Sequence, residues 1–195
     1  MLKECAYVPE LETPRLILRR LVPGDADDLR EWLGRDEVYT YWGRPAGRED
    51  KNPELMFIDP RPNVVRKPFR GFIWGMELRD TRKVIGIMEI FEVDSDRIGK
   101  VGYRVDPRCW NSGLCTEALK RVVEFIFSET KFDRLETTVH VNNPASSRVL
   151  EKSGFRLEGT IRHGKMGIRY CDYHIWGLIR DDLAEQKRAP MPGRE

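Results

Sequence analysis

The chain has 195 residues, a formal net charge of +2 and 34% charged residues, values typical of one globular domain. Because the charges nearly balance, the composition does not indicate nucleic-acid binding, and no apolar run approaches the ~18 residues of a membrane-spanning helix. The N-terminus lacks the apolar core of a signal peptide, so we expect a cytoplasmic protein without a membrane partner. Four cysteines without C-x-x-C spacing and three scattered histidines predict free thiols and no metal site.

The N-terminal third of the chain predicts a strand followed by two helices. Residues 16–21 have the composition of a strand, and Asp25 is then placed to cap a helix whose apolar residues share one face. The pair Asn52-Pro53 predicts the start of a second helix, with the asparagine as its cap. This helix must be short, because residues 60–71 are rich in proline and arginine and predict an irregular loop.

The remainder of the chain predicts three strands and then alternating helices and strands. The expected elements are an antiparallel meander at 72–78, 84–93 and 100–105, a helix at 112–128, a strand at 135–141, a helix from Asn143 to Gly154, and strands at 155–162 and 170–178. We expect a single domain over residues 1–183. The polar residues 184–195 are expected to form a disordered tail.

The turn at residues 107–119 carries the strongest functional signal. It follows a strand, bends at Gly113 and opens a long apolar helix, so the backbone amides of the first helical turn lack partners within the helix. A glycine lets a ligand approach the main chain closely, and the positive end of the helix dipole favours an anion such as a pyrophosphate. The same pattern is also typical of a plain connection between a strand and a helix.

Four motifs occur in order between about residue 11 and residue 182. They are Thr13-Pro14-Arg15-Leu16-Ile17-Leu18-Arg19; Val101-Gly102-Tyr103 with Asp106-Pro107; Trp110-Asn111-Ser112-Gly113-Leu114-Cys115-Thr116-Glu117-Ala118; and Asn143-Pro144-Ala145-Ser146-Ser147-Arg148-Val149-Leu150-Glu151-Lys152-Ser153-Gly154-Phe155. Together they resemble the GNAT N-acetyltransferases, in particular the ribosomal-protein N-terminal (alanine/serine) acetyltransferase subgroup. The resemblance implies an α/β (α+β) acyl-CoA N-acyltransferase fold, with a mostly antiparallel mixed sheet of about seven strands and about four flanking helices. It also implies acetyl-CoA as cosubstrate.

In the GNAT family a Q/R-x-x-G-x-G/A loop cradles the pyrophosphate of acetyl-CoA. The resemblance therefore places cofactor-binding positions at Trp110, Asn111, Ser112, Gly113, Leu114, Cys115 and Thr116. It also implies that two strands of the sheet part and expose main-chain N–H groups near Val105 and Asp106 to the acetyl oxygen. Trp110 and Cys115 depart from the motif, but a cysteine is small enough for the backbone approach to survive. Because the family transfers the acetyl group directly, a nucleophilic role for Cys115 is not expected.

The resemblance also assigns roles at the start of the later helix. Asn143 would contact the pantetheine arm, Arg148 would reach the CoA phosphates, and Ser146 would protonate or hydrogen-bond the leaving thiolate. The tyrosine that other GNAT branches place four residues after this serine is Leu150 here. Each assignment has a structural alternative, because Asn143 and Ser146 are also typical helix-start residues and Arg148 suits a solvated helix face.

A general base is harder to identify from the sequence. Lys100 occupies the position, just before Val101-Gly102-Tyr103, where many GNAT enzymes carry a glutamate. Glu89 on the preceding strand is the preferred candidate, and Glu92, Asp172 and His140 are the others. Side chains of these types are also common as surface charges or structural groups.

The acceptor pocket is expected between the connection of the first two helices and the last strand turn. Tyr39, Tyr41 and Trp42 lie in that connection and either line the pocket or complete the core. The turn at 164–169 contains no acidic residue, which argues against polyamines. A protein N-terminal α-amine is the preferred acceptor. The alternatives are a small-molecule amine (an antibiotic or amino-acid derivative) and a non-catalytic acetyl-CoA-binding module, and a homodimer is allowed.

Overall fold

The computed structural model describes residues 8–56, 71–94 and 97–183, and the side chains of residues 55, 56 and 92–94 are not among the described groups. Its strands are β1 (Leu11–Glu12), β2 (Leu16–Arg19), β3 (Gly71–Leu78), β4 (Val84–Asp94), β5 (Ile98–Val105), β6 (Arg134–His140), β7 (Arg156–Met166) and β8 (Arg169–Ile179). The helices are α1 (Ala26–Arg30), α2 (Arg48–Lys51), α3 (Leu114–Glu129) and α4 (Pro144–Lys152), with short 3-10 turns at Pro23–Asp25, Asp36–Tyr39, Pro53–Met56 and Pro107–Cys109.

These strands form one mixed sheet in the order β1-β2-β3-β4-β5-β6-β8-β7. The sheet has eight strands where the sequence predicted about seven, because the two-residue segment β1 pairs with β2. Neighbouring strands are antiparallel except β5 and β6, which are parallel. The predicted meander is confirmed in β3, β4 and β5.

The single parallel pair determines where a cleft opens. The β5–β6 ladder holds three registered pairs, from Ile98 with Arg134 to Lys100 with Glu136, although both strands continue beyond it. The hydroxyl of Thr137 donates to the carbonyl of Val101 at 2.8 Å and closes the ladder. Beyond this point the two strands separate, so the edges of β5 and β6 face a gap instead of each other.

Each face of the sheet is covered by helices. The helix α3 places its buried apolar residues at the spacing of one helical face and packs on the side of the sheet that carries Met88, Ile90 and Val101. A second cluster joins Leu29, Trp32 and Leu33 to Ile87 on the opposite face of β4. The alternation of side chains along β4 and β5 therefore divides the residues near the cleft between two faces.

The structure modifies both predicted helix caps. Asp25 stands at the N-cap position of α1, but its side chain makes no cap hydrogen bond to that helix, and its carboxylate accepts hydrogen bonds from both Arg19 Nη atoms and from the Val22 amide. Burial opposes ionisation of Asp25, but these hydrogen bonds dominate and lower its pKa. Asn52 ends α2, where its side chain donates to the Arg48 carbonyl, and Pro53 opens a 3-10 turn. The predicted loop at 60–70 and the tail at 184–195 lie outside the described residues.

Candidate active site

A cleft of about 840 Å³ occupies the gap between β5 and β6. Its walls come from the ends of those strands, the N-termini of α3 and α4, the 36–42 connection and the tip of the β7–β8 hairpin. Such a concave site with convergent polar groups is the usual form of a small-molecule site. The cleft has two ends, one at the helix N-termini and one at the 36–42 connection.

The N-terminus of α3 presents free backbone amides to the cleft. Gly113 adopts φ +79° as the N-cap, and the first intrahelical bond runs from the Glu117 amide to its carbonyl at 3.0 Å. The three intervening amides therefore precede the helical hydrogen-bond ladder. The cleft lining includes all the predicted positions from Trp110 to Thr116 except Ser112, whose hydroxyl donates to the Cys109 carbonyl at 2.5 Å.

The first motif of the chain is tied to this helix terminus, a connection that the sequence did not predict. The Glu117 carboxylate, in the first turn of α3, accepts from the Thr13 hydroxyl at 2.6 Å and from Arg15 Nε at 2.7 Å. Arg15 Nη1 also donates to the Ser112 carbonyl at 2.9 Å. Hydrogen bonds to the charged form lower the pKa of Glu117 against the opposing effect of burial. Arg15 thereby balances a negative charge that would repel an anion at this end of α3.

The backbone amides at the end of β5 point in two directions, toward β4 and toward the gap. The Asp106 amide donates to the Ile85 carbonyl on β4 at 2.8 Å, so it is not the free donor that the sequence suggested. Alternation along an antiparallel strand then directs the amides of Tyr103 and Val105 away from β4, toward the gap. The Trp110 indole donates to the Val105 carbonyl at 2.8 Å and holds the loop against the strand.

The N-terminus of α4 forms the other wall of this end. Asn143 caps the helix, because its side-chain oxygen accepts from the Ser146 amide at 3.1 Å, and Pro144 occupies the first helical position. The Ser146 hydroxyl lies 2.7 Å from the Tyr103 hydroxyl of β5. Asn143, Ser146 and the exposed Arg148 all line the cleft. Tyr103 belongs to the motif Val101-Gly102-Tyr103, but its contact with Ser146 depends on the packing of α4.

Cys115 is a neutral thiol in this environment. Its burial raises the pKa of the thiol to about 12, far from the lowered values of nucleophilic cysteines. The position at a helix N-terminus does not overcome this desolvation. A neutral thiol of this kind does not favour an acyl-cysteine.

Glu89 reaches the other end of the cleft by lying over a glycine. Glu89 on β4 and Gly102 on β5 are directly opposed, so their side-chain positions share one face of the sheet. A Cβ at residue 102 would lie 2.8 Å from Glu89 Oε1. Arg104, two residues along the same face, holds its Nη2 3.8 Å from Glu89 Oε2. A carboxylate thus enters the cleft from β4, although the expected position on β5 carries Lys100.

The other candidate bases are less well placed. The Nδ1 atom of His140 accepts the Asn142 amide at 3.1 Å, so the neutral imidazole carries its proton on Nε2 and can only donate there. Asp172 accepts the His163 amide at 2.7 Å and is not part of the cleft lining, whereas Glu89 and His140 are. The Glu92 side chain lies outside the described groups.

The predicted aromatic trio divides between core and cleft. Tyr39 is buried, with 2% exposure, and its hydroxyl accepts from Arg104 Nη1 at 3.2 Å, so of the two alternatives it completes the core and does not line the cleft. Tyr41 and Trp42 do line the cleft, and the Trp42 ring packs 5.0 Å from the Arg104 guanidinium carbon. Glu37, on the adjacent 3-10 turn, adds a carboxylate to this rim that the sequence analysis missed.

A backbone contact joins the 36–42 connection to the β7–β8 hairpin. The Gly43 carbonyl accepts the Ile168 amide at 2.9 Å, and Gly43 and Gly167 both adopt positive φ angles. A Cβ on either glycine would come within 2.6 Å of the other segment's backbone. Glycine at both positions therefore permits the close approach that covers this end of the cleft.

Among residues 8–56, 71–94 and 97–183, no group of three or more His, Cys, Asp or Glu side chains could hold a metal ion. The helices within these ranges also include none that is long and apolar enough to cross a membrane.

Comparisons with known proteins identify the family of this chain. Residues 15–156 match the family model of the acetyltransferase (GNAT) domain, and the chain belongs to this family. Its sequence is 34% identical over 175 residues to the uncharacterized N-acetyltransferase YoaA of Bacillus subtilis (strain 168), covering 88% of this chain and 97% of that protein. The protein is therefore an acyltransferase of the N-acetyltransferase type.

Solved structures show the same fold at lower sequence identity. The ribosomal-protein-S5-alanine acetyltransferase of Vibrio fischeri superposes with a TM-score of 0.72 at 18% identity, covering 89% of this chain and 98% of that one. The spermidine N-acetyltransferase of Vibrio cholerae, solved with CoA and spermine, gives a TM-score of 0.70 at 20% identity, with coverages of 88% and 99%. Acetyl-CoA is the donor that the family implies. These neighbours act on different amines, so the fold does not select the acceptor.

Proposed function

We propose that this enzyme transfers the acetyl group of acetyl-CoA directly to the α-amine of a protein N-terminus in the cytoplasm. The observation that carries the proposal is the position of Glu89, a carboxylate that lies over Gly102 and lines the same cleft as Tyr41 and Trp42. It provides one weak base next to an aromatic pocket. The opposite end of the cleft provides the amides and hydroxyl that suit the donor.

The donor end is proposed to bind acetyl-CoA through the main chain. The amides of residues 111–116 would receive the pyrophosphate, because Gly113 opens the backbone and the helix dipole favours an anion by about 0.3–1 kcal/mol. Asn143 would contact the pantetheine arm, and Arg148 would contact the CoA phosphates. The Val105 amide would donate to the acetyl oxygen as negative charge develops there, and Ser146 would stabilise the departing sulfur.

The acceptor end is proposed to bind a neutral or easily neutralised amine. With ordinary pKa values of about 7.8 for an α-amine and about 10.4 for lysine, forming the free amine near pH 7 costs about 1.1 and about 4.6 kcal/mol respectively. A lysine would need about 3.5 kcal/mol more from its surroundings. Glu89 Oε2 already lies 3.8 Å from Arg104 Nη2, so this carboxylate suits the less costly deprotonation, that of an α-amine.

A small polyamine is the second candidate acceptor, and Glu37 is the observation that favours it. Glu37 and Glu89 place two carboxylates along the acceptor end, with Tyr41 and Trp42 as aromatic neighbours. Such groups attract an extended cation. Glu37 is, however, exposed and paired with Arg35 at 3.3 Å, which reduces its attraction for a second positive charge.

A pair of peptides tests the preferred acceptor. One peptide has a free N-terminus and blocked lysine, and the other has an acetylated N-terminus and free lysine. We expect release of free CoA to be faster with the first, with kcat/KM rising to a plateau near the pKa of the α-amine, about 7.7–8.0. Faster reaction of the second peptide, or of spermidine, would overturn the assignment. Binding without CoA release by any amine would indicate a non-catalytic module.

A further inference from the structure

Tyr103 and Ser146 form a hydrogen-bonded pair where β5 faces the first turn of α4. The two hydroxyl oxygens lie 2.7 Å apart, the usual distance of an O–H···O bond. The Tyr103 hydroxyl lies 3.3 Å from the Ser146 carbonyl oxygen, outside the usual range. The Ser146 hydroxyl oxygen is therefore the better acceptor for the tyrosine hydrogen.

We propose that Tyr103 is a positioning residue that donates its hydrogen to Ser146 Oγ and so turns the serine hydrogen toward the sulfur of CoA. The inference rests on the proposed function, in which Ser146 lies beside the reacting thioester. It adds a reason why a serine hydroxyl, which rotates freely on its own, points in one direction.

The direction of the hydrogen bond follows from the chemistry of the two hydroxyls. A phenol is more acidic than an aliphatic alcohol and is the better donor. If Ser146 donated to Tyr103 instead, its only hydrogen would be used within the pair and none would remain for sulfur. Burial raises the pKa of the Tyr103 phenol well above its ordinary value, so the phenol stays protonated and serves as a hydrogen-bond donor, not as a proton source.

The reaction step balances without proton transfer from the pair. The amine nitrogen attacks the thioester carbonyl carbon, forming the C–N bond, and the amine proton passes through Glu89 or water to solvent. The C–S bond then breaks and its electron pair remains on sulfur. The Ser146 hydrogen bonds to this thiolate, which takes a proton from solvent after release. Tyr103 retains its own hydrogen throughout.

The first test is a double-mutant cycle in the acetylation of a peptide with a free N-terminus. Tyr103→Phe keeps the ring and its packing, so we expect kcat to fall about 10-fold with KM for acetyl-CoA nearly unchanged, as for loss of a hydrogen bond made to a charged group. In a Ser146→Ala background the same change should have little further effect. Tyr170→Phe, which removes an exposed hydroxyl on β8, is the matched control.

The second test needs no acceptor amine. The thiol of bound CoA is titrated by the ultraviolet absorbance of its thiolate, in the wild type and in each variant. A directed hydrogen bond should lower the pKa of the bound thiol, and Tyr103→Phe and Ser146→Ala should each raise it again by about one unit. Loss of packing alone would not move this pKa, and thermal denaturation verifies that each variant is folded.

The outcomes separate this inference from the proposed function. If the pKa of the bound CoA thiol changes as expected in the variants but no peptide with a free N-terminus is acetylated, the acceptor assignment fails and the positioning role stands. If Tyr103→Phe leaves the pKa of the bound thiol unchanged, the inference is overturned. It is also overturned if the fold reductions in kcat caused by Tyr103→Phe and Ser146→Ala multiply in the double variant, because Tyr103 then does not act through Ser146.

Discussion

Replacing Gly102 with alanine should lower activity while leaving the fold intact, because the new methyl group would enter the space of the Glu89 carboxylate. A Cβ at residue 102 would lie 2.8 Å from Glu89 Oε1 and 3.0 Å from its Cγ, and contacts under 3.0 Å require one atom to shift. Gly102 lies within the regular strand β5 and is not among the glycines with positive φ, so alanine suits the backbone. The group that moves is therefore the flexible Glu89 side chain.

The expected magnitudes differ for stability and for rate. Turning a side chain ~30° from its preferred rotamer costs about 0.5–1.5 kcal/mol, which a domain stable by about 5–15 kcal/mol tolerates. A well-placed general base contributes about 10²–10⁴ to a rate. Displacing the Glu89 carboxylate should thus reduce kcat/KM by about 10-fold or more and approach the effect of Glu89→Gln.

The assay is kcat/KM as a function of pH with a free-N-terminal peptide, accompanied by thermal denaturation. Gly159→Ala on β7 is the matched control, because a Cβ there has no neighbour within 4 Å. Wild-type kcat/KM in folded Gly102→Ala and Glu89→Gln proteins would refute the assignment of Glu89 as base. An inactive Glu89→Gln beside a fully active Gly102→Ala would refute the steric part of the reasoning.

Three further predictions concern the donor end. Ser146→Ala should lower kcat more than it weakens acetyl-CoA binding, whereas Asn143→Ala should act mainly on binding; unchanged kcat for Ser146→Ala in steady-state assays would leave it a helix-start residue. Gly113→Val should abolish acetyl-CoA binding in calorimetry, because a β-branched side chain strains the φ of +79° and covers the amides; wild-type affinity in a folded variant would contradict this. Cys115→Ala should retain most of kcat, and trapping of an acetyl-cysteine by mass spectrometry would contradict the neutral thiol.

The order of elements could be predicted because the chain's local signals agree with its fold. The helix α3 has one apolar face, and the strands of the meander are separated by turn residues. The local signal was incomplete where another side chain competes for a predicted cap, since Asp25 stands at the N-cap position of α1 without a side-chain hydrogen bond to that helix. Asp25 has the residue type of a helix cap, but Arg19 on β2 binds its carboxylate with two hydrogen bonds. Residue type alone does not reveal that partner.

The cleft could be predicted from the sequence where contiguous main-chain groups line it, and less so where side chains from different elements meet. The glycine turn and the following helix are contiguous in sequence, so the Gly113 loop could be located directly. Glu117 and Tyr103 depend on contacts separated by 102 and 43 residues, with Arg15 and Ser146 respectively. Both residues stood within quoted motifs. The presence of polar residues in all of these motifs was the only sequence signal that could have paired Glu117 with Arg15 and Tyr103 with Ser146.

The alternation of β5 explains how one strand would serve both halves of the proposed reaction. Gly102 is opposed to Glu89, so the carboxylate lies on one face, while the next residue, Tyr103, points to the other face and meets Ser146 on α4. A one-residue slip between β4 and β5 would exchange the faces and place Gly102 opposite α4. The amide of Asp106, bonded to the Ile85 carbonyl at 2.8 Å, holds this register at the end of the strand. Strand register is therefore a condition for the proposed chemistry as well as for packing.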